Sequence, residues 1–383
     1  MYRRAYSLLI GSAVCMFGMA FLVSTVYERP LVEPEGKLLG PSLTWLLELF
    51  GALPTNTVLL SLVLLVDVVF RALTILLAAL LADLVARSLW QSRGKFSQIQ
   101  PMARARFASH WTRERMTLVV LGIVCFYITY VSYRNLKSNL PFVRPDPSRA
   151  PGEVKPLSYD RELHIMDRVL FFGNDPSDVM HAIFGTTISA HVLSQIYLTY
   201  LPLVVVLVTV WVVWSRNISF GYWFVTSQVV GWSLGTLSYY LLPTLGPGIE
   251  YPSEYAGLAH TPTTDLMEGI KASREQFLYD NSVEGLLNSV AGFASLHVAI
   301  TLLWALMVQY TIRSKVLHWV FWVNFGLTVI ATIYFGWHYV ADDVAGIAIA
   351  VIAFYLGGIA SGQKFDKGFH SHPTTTTSKV PID

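Results

Sequence analysis

Residues 294–346 read ASLHVAITLLWALMVQYTIRSKVLHWVFWVNFGLTVIATIYFGWHYVADDVAG. Two apolar runs flank the short turn Ile312-Arg313-Ser314-Lys315, and each outer end carries a polar cluster. Ser295 and His297 precede the first run, and His338 and Asp342 follow the second. Runs of about 18 or more apolar residues are long enough to cross a bilayer core of roughly 30 Å. A turn this short makes the two spans antiparallel neighbours and brings both clusters to one membrane face. Ionisable groups beside lipid are costly and mark a working site by default. His338 and Asp342 are four apart, so on a helix they lie one above the other. Asp342 can then accept the Nδ1–H of His338, which fixes the tautomer and leaves Nε2 as a nucleophile. His297 can supply the proton for a leaving group. The pattern reads as a histidine-based phosphoryl-transfer site on a membrane enzyme.

The rest of the chain agrees with a membrane setting. Of its 383 residues 54% are hydrophobic and only 14% charged, where soluble domains carry about 25% charged residues. Mean hydropathy is +0.50. The net charge of +2 supplies no basic face for nucleic acid. Cys15 and Cys125 both fall in apolar runs and outline no disulfide framework. Apolar spans are expected at 6–26, 56–88, 116–134, 194–214, 219–243, 296–312, 317–337 and 342–361. The first is longer than a signal-peptide core and is read as a retained helix. Arg3, Arg4, the cluster from Arg87 to Arg115, Arg216, Arg313, Lys315, Lys364 and Lys367 all fall on one side of such a bundle. The positive-inside bias makes that side cytoplasmic, with both termini. Ser295, His297, His338 and Asp342 are then extracytoplasmic, in a plasma membrane.

The outer loops hold further signals. Ser42–Leu53, Leu163–Phe172 and Pro176–Phe184 are expected as helices lying on the membrane, with Asp175 before Pro176 starting the last. The loop 249–290 is expected to cap the site. The tail 362–383, with four consecutive threonines, is expected to be disordered. The second span carries Asp67 with Arg71 and Asp83 with Arg87, acid before base at i,i+4 spacing, which reads as charge neutralised within one helix. His164, His181, His191 and His260 are outer-loop histidines expected to be solvated or interfacial. No internal repeat is visible.

Ala294-Ser295-Leu296-His297 together with His338-Tyr339-Val340-Ala341-Asp342 resembles the second and third motifs of the type-2 phosphatidic acid phosphatase (PAP2) superfamily. The Ser-Leu-His form of the second motif is similar to the branch that contains inositol phosphorylceramide synthases. Leu136-Lys137-Ser138-Asn139-Leu140-Pro141 and Asp167–Pro176 add to the likeness, which spans roughly residues 116–361. The resemblance implies an all-α polytopic protein of about eight transmembrane helices, with a six-helix catalytic core at 116–361. Two extra helices and a basic loop occupy 1–115. It implies that His338 forms a phosphohistidine, Asp342 orients it, His297 moves the proton and Ser295 holds phosphate oxygens. Neither a metal nor another cofactor is implied.

The chain departs from the family pattern in its cations. The arginine usually found six residues before the third-motif histidine is Thr332 here, and Leu242–Gly248, in the place of the first motif, holds no cation. The string Lys137-Ser-Asn-Leu-Pro-Phe-Val-Arg144-Pro145 spells the first motif two spans early. Lys137, Arg144 and Arg168 are therefore the candidate phosphate ligands. The substrate expected is a lipid-linked phosphate, with an alcohol or water as acceptor. Head-group transfer, such as phosphoinositol, is slightly preferred over hydrolysis of phosphatidic acid or a polyprenyl diphosphate. Two other readings stay open at this point. His297, His338 and Asp342 could ligate zinc, and Asp67, His338 and Asp342 could relay protons in a transporter, although no repeated halves support that.

Overall fold

The computed structural model describes residues 3–34, 47, 56–93, 95–150, 153–279, 292–365 and 374–375. Eight long helices occur where the apolar runs predict them: α1 (Arg3–Val26), α2 (Thr57–Ser92), α4 (Arg113–Val143), α7 (Ile188–Trp214), α8 (Ile218–Leu241), α11 (Leu296–Thr311), α12 (Lys315–Tyr334) and α13 (Val340–Ala360). Six of them are long and apolar enough to cross a membrane. Of the other two, α11 has 16 residues, and α8 is diluted by polar residues such as Gln228 and Thr236. The outward faces confirm the setting. Leu59, Leu62, Val66, Phe70, Leu73, Leu77 and Leu81 stand exposed along α2, and Val316, Val320 and Val323 along α12. A water-soluble helix presents the opposite pattern.

Helix α8 is the axis of the bundle. Tyr222, Trp223, Phe224, Val225, Gln228 and Val229 are all fully buried, packed among α13, α4, α1, α7 and α11. Close approach depends on small residues, as expected where helices associate inside lipid. A Cβ on Gly357 of α13 would stand 2.2 Å from Ser227 Oγ and 2.9 Å from Ser227 N. Helix α1 presents Ala5, Leu9, Ala13, Met16 and Ala20 as one buried stripe at three- and four-residue spacing. It packs on α4 and α8, so the first helix is part of the bundle.

Two sequence expectations need correction at the basic end. Asp83 is not neutralised by Arg87. Arg106, on the helix α3 (Phe96–His110), holds it through Nε at 3.0 Å and Nη2 at 2.9 Å, and the indoles of Trp111 and Trp214 donate at 2.9 and 2.7 Å. Spacing identified a possible partner within the helix, but a bidentate guanidinium from a neighbouring helix makes the better contact. Arg87 instead lies over the Trp90 ring, 5.8 Å from its centroid. Asp67 and Arg71 are both buried. The second correction concerns the tail. Gln363 Nε2 donates to Ser219 Oγ at 3.2 Å, and Phe365 packs against Trp223, Phe354 and Tyr355, so order extends through Phe365. An apolar aromatic in a polar tail found a groove that sequence alone does not reveal. Gln363–Lys364 pairs antiparallel with Thr374–Thr375; the remainder of the tail lies outside the described residues.

At the opposite end, the interfacial helices α5 (Asp160–Leu170) and α6 (Pro176–Phe184) form as expected. Ile165, Val169, Leu170 and Ile183 stand exposed on them and Phe172 on the turn between, an apolar rim suited to a lipid interface. The expected helix Ser42–Leu53 lies outside the described residues apart from Leu47. The expected cap loop is largely helical: α9 (Pro247–Glu250), a 3₁₀ turn at Pro252–Tyr255 and α10 (Pro262–Tyr279). Its start was legible in Thr261-Pro262-Thr263-Thr264. Pro sits at the first helical position, and Thr261 and Thr264 exchange hydrogen bonds at 2.8 and 3.3 Å.

Candidate active site

His338 sits in the link between α12 and α13. Its backbone N–H and that of Trp337 donate to the Thr332 carbonyl at 3.3 and 2.9 Å, closing the end of α12. The next residues start α13, where Tyr339 is the N-cap. Its N–H donates to Asp342 Oδ2 at 3.0 Å, and that same oxygen meets His338 Nδ1 at 3.2 Å. One carboxylate therefore caps the helix and orients the imidazole. His338 is 7% exposed and Asp342 fully buried. Burial pushes the His338 imidazole down to about 4, opposed by Asp343 and by a contact with the Gly292 backbone and reinforced by Lys137. At neutral pH the ring is thus uncharged, as a nucleophile must be.

The link rests on a platform that sequence reasoning missed. Asp160, the first residue of α5, is fully buried and accepts from Leu245 N at 2.8 Å, Gly246 N at 2.9 Å, Tyr339 Oη at 3.0 Å and Ser158 Oγ. Asp167, two turns further along α5, accepts from Val340 N at 3.1 Å. The loop beneath is tight. Gly246 has φ +98°, and a Cβ there would stand 2.4 Å from the Trp337 carbonyl oxygen, so only glycine fits. Gly248 N donates to Gly336 O at 2.7 Å. The only signal in the sequence was the pairing of a glycine-rich loop with an acid at the start of an amphipathic helix, which named no partner.

His297, in the first turn of α11, faces His338 with ring centroids 6.2 Å apart. Tyr197 and Tyr200 of α7 pack on its ring at 4.4 and 4.1 Å, and Trp337 stacks on Tyr197 at 5.2 Å. Tyr200 Oη donates to the Leu296 carbonyl at 3.2 Å, which holds it against α11. The pair at i,i+3 near the outer end of a span was the available clue. Both histidines open into a cavity of about 490 Å³, walled by Tyr130, Tyr133, Trp232, Leu201, Leu266 and Ile270 among others. That volume and lining suit an amphiphile's polar head with apolar groups beside it.

Of the candidate phosphate ligands, Lys137 lines this cavity, as does Arg134 one turn earlier, which the sequence reading passed over. The Lys137 ammonium donates to Tyr133 Oη at 3.4 Å and lies 5.4 Å from the Tyr239 ring centroid. Arg144 is not among the cavity's lining residues. It is the C-cap of α4, and its carbonyl accepts from Leu157 at 2.9 Å. Its distance follows from helix geometry, since seven residues beyond Lys137 is about 10 Å along the axis. Arg168 is half-exposed, turned to the Gly173 carbonyl at 3.0 Å, and also outside the cavity. Ser295 is fully buried as the N-cap of α11, accepting from Val298 N at 3.4 Å and meeting Asp343, so its hydroxyl is engaged away from the cavity. Thr332, in the place of the usual arginine, donates to Asp343 Oδ2 at 2.9 Å.

Among the outer histidines, His181 meets the Tyr334 carbonyl at 2.8 Å, and His164 is half-buried beside Asp175 rather than solvated. Among the described residues, the histidine, cysteine and acid side chains close enough to share a metal are His164, Asp175 and Glu254, and not the trio His297, His338 and Asp342.

Comparison with the curated proteins and with the solved structures returns no significant match to either. A sequence model of the PAP2 superfamily matches residues 161–356, just over half the chain, from the second residue of α5 through most of α13. It includes both histidines and Asp342 and leaves Lys137 outside. With that match over this helical bundle, the chain belongs to the PAP2 superfamily.

Proposed function

We propose that this membrane phosphoesterase uses His338 as a covalent nucleophile on lipid-linked phosphate at the extracytoplasmic face of the plasma membrane. The reading rests on one observation: a carboxylate-oriented imidazole facing a second imidazole 6.2 Å away across an aromatic cavity. His338 Nε2 donates its lone pair to phosphorus, and the bond from phosphorus to the leaving oxygen breaks. That oxygen takes the electron pair and a proton from His297. An incoming hydroxyl then gives its proton to His297 and attacks phosphorus, releasing His338. Lys137 and Arg134 offset charge on the equatorial oxygens. Tyr197 and Tyr200, packed on the His297 ring, hold it facing His338.

Transfer of a phospho-head group to an alcohol is preferred, as in the inositol phosphorylceramide synthase-like branch. The Ser295-Leu296-His297 motif, Thr332 in place of an arginine, and the apolar walls next to the histidines support it. Hydrolysis of phosphatidic acid or a polyprenyl diphosphate is the second reading, supported by the superfamily itself. The gathering of Arg106, Arg113, Arg115 and Arg216 at the far end of the bundle supports cytoplasmic termini. The test uses purified protein in mixed micelles with phosphatidic acid, phosphatidylinositol and polyprenyl phosphates, with and without alcohol acceptors. Products are read by mass spectrometry beside His338→Ala. Acceptor-dependent lipid without free phosphate is the expected result, and free phosphate from wild type alone would select hydrolysis. Identical products from wild type and variant would overturn the histidine mechanism.

A further inference from the structure

A second, narrow cleft is shared by Asp167, Asp175, His164, Glu254 and His338. Its free volume is about 10 Å³, room for one water or a bare ion and not for a head group. The ligand atoms of His164, Asp175 and Glu254 lie within 4.8 Å of one another. His164 Nδ1 and Asp175 Oδ1 are 3.6 Å apart. That is too long for a hydrogen bond, yet close to the roughly 3.4 Å between two ligands of a tetrahedral ion with bonds of about 2.1 Å.

The side chains are turned to the cleft at the expense of ordinary partners. Asp175 is the N-cap of α6, but its carboxylate makes no cap hydrogen bond, although that is the usual role of Asp there. Asp175 Oδ1 and Glu254 Oε2 are buried with no hydrogen-bond partner. Asp167, only 3% exposed, spends Oδ2 on Val340 N and leaves Oδ1 without a partner. Buried carboxylate oxygens are rarely left so. The charges facing the cleft do not balance. Among the described residues, Asp167, Asp175, Glu254 and nearby Asp178 are met by His164, His338 and Arg168, whose Nε is 3.9 Å from Asp175 and whose guanidinium bonds Gly173.

We propose that His164, Asp175 and Glu254 bind a divalent transition-metal ion, of which Zn²⁺ is the probe, with the Asp167 carboxylate facing it. One imidazole nitrogen with carboxylates suits Zn²⁺ or Mn²⁺, whereas Ca²⁺ and Mg²⁺ prefer oxygen alone. The ion joins α5, α6 and the 252–255 turn, and fixes the platform that carries His338.

The experiment takes the full chain in detergent, strips it with EDTA, adds Zn²⁺, desalts it and counts zinc per chain by mass spectrometry, with thermal unfolding alongside. Wild type should retain about one ion and unfold at a higher temperature when loaded. Asp175→Asn and Glu254→Gln should each lose the ion. His260→Ala, which removes the exposed pair with Asp265, should retain it. Co²⁺ loading of wild type gives a readout independent of any variant's folding, since a His-containing tetrahedral site produces visible absorption. No retained zinc and no Co²⁺ band, or retention unchanged in both carboxylate variants, would overturn the site. Binding is counted without turnover. A missing ion therefore leaves the phosphohistidine reading intact, and inactivity toward lipid phosphates leaves the metal site intact.

Discussion

Asp160→Ala removes a residue that does not line the cavity and should nonetheless disable the enzyme. The Asp160 carboxylate serves four donors: Leu245 N, Gly246 N, Tyr339 Oη and Ser158 Oγ. Ser158 is exposed and can turn to water, while Gly246 and Tyr339 are buried and Leu245 half-buried. Leaving a buried donor unsatisfied costs about 1–3 kcal/mol, so three orphans cost on the order of 3–9 kcal/mol. Tyr339 adjoins His338, and displacement of a reacting group by about 1 Å can reduce rate on the order of a hundredfold. Asp160→Asn is the informative contrast. Its Oδ1 can still accept from Gly246 and Tyr339, so its loss should be nearer 1 kcal/mol. Thermal unfolding in detergent and initial rates of lipid phosphate turnover measure the two effects. Alanine should lower both severely and asparagine only slightly. An alanine variant with wild-type melting and rate, or an asparagine variant as impaired as alanine, would refute the view that this carboxylate seats the catalytic link.

Three further outcomes are expected. His338 titrates near 6.5 unfolded and near 4 folded, so its stabilising contribution is complete above pH 6.5 and lost as pH falls toward 4. The acid limb of activity due to this ring should accordingly fall near pH 4, and a pH–rate profile with that limb near 6.5 would contradict it. Gly246→Ala places a Cβ 2.4 Å from the Trp337 carbonyl at φ +98°; it should cost at least about 2 kcal/mol and lower the melting temperature. Lys137→Gln should raise KM for a lipid phosphate roughly tenfold, about the worth of one charge-assisted hydrogen bond. Arg144→Gln, outside the cavity, should stay within about twofold, and steady-state kinetics of the two variants decides between them.

Local physics made much of this protein readable. Bilayer thickness demands long apolar runs, and each of the eight runs became a helix, although Arg113–Val143 runs nine residues past its expected end and Ile188–Trp214 starts six before its expected start. Helical periodicity placed Asp342 against His338, because residues four apart must meet on a helix, and the contact is there at 3.2 Å. The short turn after Thr311 brought His297 to the same end as His338. What the sequence could not rank were partners distant in the chain. Lys137 and Arg144 belong to one string, yet only Lys137 reaches the cavity, because the helix carries Arg144 past it. Asp83 had a plausible partner at i,i+4 and took Arg106 from another helix. Asp160, the Tyr197 and Tyr200 pair and the His164, Asp175 and Glu254 cluster had at most a local hint that named no partner. Periodicity constrains neighbours within one helix, whereas these contacts are chosen by how separate helices pack, and that is decided only when the whole bundle closes around α8.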